Sequence, residues 1–220
     1  MQSKILTVIL TILILFGALY IVYEHFKKKT LFETGDIIFQ TALTSQNQAI
    51  RYATKSKYSH CGIIYKKDGT FYVYEAVQPV KITPLDQWIA RGENSSYTLK
   101  RLKNSEKILT PEAIAKMVNE CEGHLGKDYD LTFEWNDDKM YCSEYIWKVY
   151  DRALGIQVGE LQKLKDFDLE NLLNIPAVHA LLEARYGGLN NIPLNETVIS
   201  PAAIFDSDLL EMVKDTYPDI

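Results

Sequence analysis

The sequence predicts an α+β domain behind a membrane-spanning segment, and three observations predict it. β-rich runs fill the stretch from Gly35 to Leu102, apolar residues at helical spacing dominate the second half, and Ile5 to Tyr23 carries no charge. Strands followed by helices favour an antiparallel sheet packed against helices over a doubly wound sheet. With 220 residues, 47% of them hydrophobic, the chain can bury one core. Residues 1–29 read as an N-terminal membrane anchor or signal segment, and residues 30–220 as one folded domain.

The N-terminal run is long enough to cross a bilayer, which takes about 20 apolar residues. A cleaved signal is the alternative, but its apolar region is shorter, about 7–15 residues. No small-x-small cleavage site follows the run, because Gly17-Ala18-Leu19 lies inside it. An uncleaved anchor is therefore favoured, with Tyr20 and Tyr23 suited to the interface. Lys27, Lys28 and Lys29 follow the run and only Lys4 precedes it, which by the positive-inside rule puts the domain in the cytoplasm.

Gly35 opens a strand over Asp36-Ile37-Ile38-Phe39-Gln40, and a short helix is expected over about Gln46 to Ala53. Ser59–Tyr65 and Phe71–Ala76 are paired strands, because Lys67-Asp68-Gly69 between two β-rich runs is a strong hairpin signal. Pro84 to Ile89 suggests a short helix and Tyr97 to Leu102 a strand. Thr110-Pro111-Glu112 has an N-cap residue followed by proline at the first helical position, starting a helix that runs to about His124. The next helix begins at Cys142, where Tyr145, Ile146, Val149, Tyr150 and Ala153 recur at helical spacing and Gly155 supplies a stop. A helical region with loops is expected over about Leu161 to Tyr186, and a last short helix at Ser200-Pro201.

The net charge of −5 leaves no basic footprint for nucleic acid. Three cysteines, Cys61, Cys121 and Cys142, form no CxxC pair. That argues against a disulfide framework and a structural zinc site, and no metal or cofactor is expected.

A cysteine before an apolar helix is more often a small core residue than a reactive one. Cys142 stands at a helix start, however, where the helix dipole and free N–H groups lower a thiol pKa. His60 lies on a strand and can take the proton. If Asp68-Gly69 is a two-residue loop, Lys67 faces Thr70 and Gly62 faces Glu75. His60, Gly62, Glu75 and Val77 then share one face, with His60 and Glu75 diagonal neighbours and Gly62 leaving a gap between them. That is the base-and-orienter arrangement of a catalytic triad. Cys61 points to the opposite face and Cys121 lies in an apolar helix, so both read as core. His124 sits near a helix C-terminus, where a partly charged imidazole suits the dipole. Asp137-Asp138 reads as a solvated turn at the rim, and His25 and His179 show no partner at useful spacing.

Gly35-Asp36-Ile37-Ile38-Phe39-Gln40, Ser59-His60-Cys61-Gly62-Ile63, Tyr74-Glu75-Ala76, Gly126-Lys127-Asp128-Tyr129-Asp130 and Trp135 through Tyr141-Cys142-Ser143-Glu144-Tyr145-Ile146-Trp147-Lys148 resemble the YiiX/YebB-like cysteine hydrolases. These are circularly permuted members of the NlpC-type, papain-like superfamily, in which histidine precedes cysteine as it does here. The resemblance covers roughly Leu31 to Ser207. It implies that Cys142 is the nucleophile, His60 the general base and Glu75 the residue that orients the base. It places the Cys142 backbone N–H in the oxyanion hole. Gln40, from its place at the end of the first strand, and Tyr141, next to Cys142, are further oxyanion or pocket candidates. It implies cleavage of an amide in peptidoglycan stem peptides or related peptides, outside the cytoplasm and against the lysine count. An acyltransferase or lipid hydrolase at the membrane surface is the alternative, favoured slightly by the anchor and by 14 tyrosines and disfavoured by the Cys142-Ser143-Glu144 context. A non-catalytic binding module of the same fold is disfavoured by the intact Cys142, His60 and Glu75.

Overall fold

Asp68 and Gly69 both adopt positive φ (48° and 82°), the geometry of a type I′ hairpin turn that matches the twist of its strands. The turn joins β2 (His60–Lys67) to β3 (Thr70–Glu75) and sets a register running from Lys67 opposite Thr70 to Ile63 opposite Tyr74. The computed structural model describes residues 30–218, apart from residue 44, residues 170–172 and residues 174–175. The membrane-spanning helix expected over Ile5 to Tyr23 lies outside the described residues. Among the described residues no helix is long and apolar enough to cross a membrane.

The remaining strands extend the hairpin into an antiparallel sheet. β1 (Ile37–Gln40), β4 (Lys81–Pro84), β5 (Thr98–Leu102) and β10 (Leu210–Asp215) give the order β10-β5-β1-β2-β3-β4. A buried pair ties β1 to β5: Arg101 Nε donates to Asp36 Oδ1 at 2.7 Å and Nη2 to Oδ2 at 2.8 Å. Two short ribbons, β6 (Asp128–Tyr129) with β7 (Lys139–Met140) and β8 (Gln162–Lys163) with β9 (Thr197–Val198), brace the loops.

Strand alternation divides the core in two. Ile37, Phe39, Cys61, Ile63 and Tyr74 face the larger cluster, shared with helices α4 (Pro111–Gly123), α5 (Cys142–Leu154) and α7 (Pro201–Phe205). Ile38, Ile64, Val73 and Leu99 face a smaller cluster capped by Leu85 and Trp88 of α2 (Leu85–Ala90). Helices α1 (Ser45–Thr54), α3 (Ser105–Ile108) and α6 (Pro176–Tyr186) complete the domain. The expected N-caps form: Thr110 Oγ1 accepts from Ala113 N–H at 3.3 Å, and Ser200 Oγ from Ala203 N–H at 3.1 Å.

The division into strands first and helices second does not hold to the end of the chain. β10 returns from the C-terminal region to pair with β5 at the sheet edge. Its charged residues suit an edge strand, where they oppose pairing with other chains. β4 is a further unanticipated strand. The region from Leu161 to Tyr186 is only partly helical, because β8 and a 3-10 turn at Leu164–Asp166 precede α6.

Candidate active site

Helix α5 starts where Tyr141, in extended conformation (φ −108°, ψ 163°), hands the chain to Cys142. Glu144 Oε2 accepts from Tyr141 N–H at 3.4 Å, one half of a capping box. Tyr145, Ile146, Val149 and Tyr150 are fully buried on the face that packs under the sheet, and Gly155 closes the helix with φ 69°. The segment at Ile199 clamps the helix start from both sides. Ser143 Oγ donates to Ile199 O at 2.7 Å, and Ile199 N–H donates to Tyr141 Oη at 3.1 Å.

His60 is the first residue of β2 and lies opposite Gln40 of β1. Its ring stacks near the buried Trp88, with centroids 5.8 Å apart. Nε2 lies 2.7 Å from Glu75 Oε2, the contact that the hairpin register predicts. Gly62 is needed there, though mainly for Val73: a Cβ at Gly62 would fall 2.3 Å from Val73 Cγ1 and 2.9 Å from Tyr74 O, but 3.6 Å from Glu75 Cβ.

Glu75 has no exposed surface, and its second oxygen is also engaged. Oε1 accepts from Thr83 Oγ1 at 2.6 Å and from Arg91 Nη2 at 2.5 Å. Burial pushes the Glu75 carboxyl up, but the His60 hydrogen bond and charge, with Thr83 and Arg91, outweigh it and hold the pKa at about 2. Burial likewise pulls His60 down. The Cys142 thiolate and Glu75 outweigh that and raise the ring to about 9.

Glu75 takes Nε2, which leaves Nδ1 as the ring nitrogen open to the Cys142 sulfur, and the two groups shift one another's pKa. The Cys142 thiol is held well below its ordinary range. The Cys61 thiol contributes most as a donor, burial opposes, and the His60 ring and Cys61 N–H add to the lowering. Cys61 is pushed up by burial and by the neighbouring thiolate, and burial raises Cys121 to about 12. The two shifts run in opposite senses, both toward a thiolate facing an imidazolium, the form in which sulfur is nucleophilic.

Three participants escape sequence reasoning. Thr83 and Arg91 flank α2 and reach Glu75 only through the tertiary path of the chain. Cys61 does face the larger core, away from His60, as alternation predicts. Cys142 nonetheless acts on both residues.

Gln40 is buried beside His60, but its Oε1 has no hydrogen-bond partner among the described residues and points at Gly92, whose added Cβ would lie 2.5 Å away. Tyr141 lines the pocket next to Cys142. At His124 burial lowers the pKa, against the pull of Glu120 Oε1 at 3.0 Å and of the helix end. Asp137 is not merely a solvated turn. It bonds Lys148 Nζ and Arg152 Nη2, each at 2.8 Å, and clips its loop to α5. His179 pairs loosely with Glu183 at 3.8 Å, a partner that the sequence reading missed. His25 lies outside the described residues.

Beside Cys142 opens a cavity of about 100 Å³, walled chiefly by apolar side chains such as Ile50, Phe167, Leu182 and Val198. A thiol with a lowered pKa at the wall of an apolar pocket, beside an imidazole that is bonded to a buried carboxylate, is an arrangement that can form and break an acyl–sulfur bond.

Residues 31–214 match the family described as permuted papain-like amidase enzymes, YaeF/YiiX, C92. The chain is 49% identical over 186 residues to the uncharacterized protein YiiX of Escherichia coli K12, covering 84% of this chain and 88% of that protein. A solved structure described as metalloprotein YiiX from Escherichia coli O157:H7 is similar with a TM-score of 0.77 and 49% identity, over 84% of this chain and 98% of that one. Among the described residues no three His, Cys, Asp or Glu side chains group so as to hold a metal ion.

Proposed function

The chain belongs to the C92 family of permuted papain-like amidases, and from that premise we propose that it cleaves an amide through a Cys142 thioester, with an apolar acyl group seated in the adjoining pocket. One observation carries the reading: Cys142, whose thiol the neighbouring Cys61 and His60 hold well below its ordinary range, lines an apolar cavity.

The Cys142 thiolate adds to the carbonyl carbon. The N–H groups of the first turn of α5 have no intrahelical acceptor, so that of Cys142 is available to the developing oxyanion. His60 gives its Nδ1 proton to the departing amine, and the neutral ring then takes a proton from the water that hydrolyses the thioester. Glu75 holds the ring through Nε2 and stabilises its cation. Gln40, beside His60, is a further candidate donor, and Tyr141 shapes the pocket wall.

Peptidoglycan stem peptides are polar along their length and would leave the apolar walls without partners. An amide with an apolar acyl part, presented at a bilayer, fits the cavity better, and residues 1–29 as an anchor would hold the domain there. The purified full-length chain is to be incubated separately with muropeptides and with N-acyl amino acids, with products and acyl adducts read by mass spectrometry. A Cys142 acyl adduct and product from the N-acyl amino acids are expected. Turnover of muropeptides alone would overturn the apolar assignment, and turnover surviving Cys142→Ala would overturn the nucleophile. Protease shaving of spheroplasts, expected to remove an extracytoplasmic domain, tests the sidedness.

A further inference from the structure

Arg185, on α6, lines the Cys142 pocket and is the only cationic residue among its described lining residues, which include no carboxylate. Its guanidinium carbon lies 4.9 Å from the centre of the Phe133 ring. Phe133 holds that ring with φ 55°, a conformation rare for an aromatic residue, and packs it edge-on against Tyr141 with centroids 5.1 Å apart. Arg185 is thus linked by one ring to the residue that precedes the nucleophile. Among the described residues its guanidinium has no ion-pair partner. The nearby Asp130 carboxylate acts on it only through space, because Oδ1 accepts from Thr132 N–H and Oγ1, both at 2.7 Å, and Oδ2 from Glu134 N–H at 2.6 Å. Burial lowers the Arg185 pKa, yet arginine stays charged in proteins.

A half-buried cation facing an apolar cavity is costly unless something pairs with it, and cation–π contact with Phe133 offsets only about 0.5–2 kcal/mol. The guanidinium fork matches a carboxylate or a phosphate through two parallel hydrogen bonds. We infer that Arg185 is a specificity-determining residue that binds an anionic oxygen group on the substrate, so that the pocket takes an apolar body carrying a carboxylate or phosphate. The inference rests on the reading of this cavity as the substrate site. It narrows the substrate class from apolar amides to anionic amphiphilic ones, such as an amide whose amine part is an amino acid or whose headgroup is a phosphate.

The test separates binding from chemistry. In the full-length chain carrying Cys142→Ala, the dissociation constants of octanoate, octyl phosphate and 1-octanol are measured by ligand-observed NMR, then again with Arg185→Met and Arg185→Lys added. At least one anion should bind about tenfold or more tightly than the alcohol, as a charge-assisted hydrogen bond provides. Arg185→Met should abolish that preference and Arg185→Lys retain part of it. The tighter of the two anions identifies the headgroup as carboxylate or phosphate. Equal binding of all three ligands, no binding of any, or a preference that survives Arg185→Met would overturn the inference. Failure of the thiol mechanism would show separately, as turnover by the chain that lacks the Cys142 sulfur.

Discussion

His60 Nε2 and Glu75 Oε2 lie 2.7 Å apart because the Asp68-Gly69 turn fixes the register of the two strands that carry them. The contact gives the carboxylate one ring nitrogen and leaves the other for sulfur. Thr83 and Arg91 occupy the remaining carboxylate oxygen, so Glu75 can neither rotate freely nor readily take a proton.

Glu75→Gln should keep the ring bonded while removing the charge that favours its cation. The His60 pKa, raised to about 9 in the native protein, should fall. The imidazolium that protonates the leaving group is lost as pH rises through that value, so the basic limb of the pH–rate profile should move to lower pH. Acylation should slow by about 10²–10⁴-fold, the scale of general acid–base catalysis. The same sign applies to stability. A raised His60 pKa contributes stability that is full below about 6.5 and fades as pH rises through about 9. His60 titration by NMR and single-turnover kinetics check both, and an unchanged titration with normal acylation would place the orienting role elsewhere.

Brief iodoacetamide exposure at neutral pH should label Cys142 and spare the other two cysteines. All three are buried, but only Cys142 lines the cavity and has a lowered pKa, whereas burial raises Cys61 and takes Cys121 to about 12. Peptide mapping reads the result, and faster labelling of Cys61 or Cys121 would contradict the assignment.

The core of this site was legible in the sequence because two local signals carry it. Asp68-Gly69 sets a register, and the helical spacing after Cys142 marks a helix start. What was not legible depends on the tertiary path. Arg91 lies just beyond α2, and nothing in its neighbours announces a buried carboxylate partner. β10 was hidden differently: its pairing with β5 shifts register between Met212 and Lys214, and its charged residues blur the alternation that identifies a strand. The apolar pocket draws its walls from α1, α6 and the segment around Ile199, far apart in sequence, so no local pattern could reveal it.

Asp36→Ala should be among the most destabilising single changes. It removes the two hydrogen bonds that Asp36 makes to the Arg101 guanidinium in a buried setting, while Glu33 Oε1, 2.7 Å from Nη1, still faces that cation. Removing one partner of a buried pair costs about 3–5 kcal/mol. Chemical denaturation measures it, and a loss below 1 kcal/mol would mean that the pair behaves as a surface contact.

Gly62→Ala tests how closely the hairpin must pack to hold its two site residues together. The added methyl would meet Val73 Cγ1 at 2.3 Å and Tyr74 O at 2.9 Å, so the strands must part or Val73 must move. Overpacking of this kind costs about 1–3 kcal/mol. Because Gly62 faces Glu75 across the hairpin, parting the strands should also lengthen the His60–Glu75 contact and lower the His60 pKa. Adding Val73→Ala removes the nearer obstacle and leaves the carbonyl. The double variant should therefore regain part of the stability and part of the His60 shift, an interaction between neighbouring sites that a double-mutant cycle measures. Strict additivity of the two changes in denaturation, with the His60 titration untouched by Gly62→Ala, would show that strand packing at this point does not govern the site.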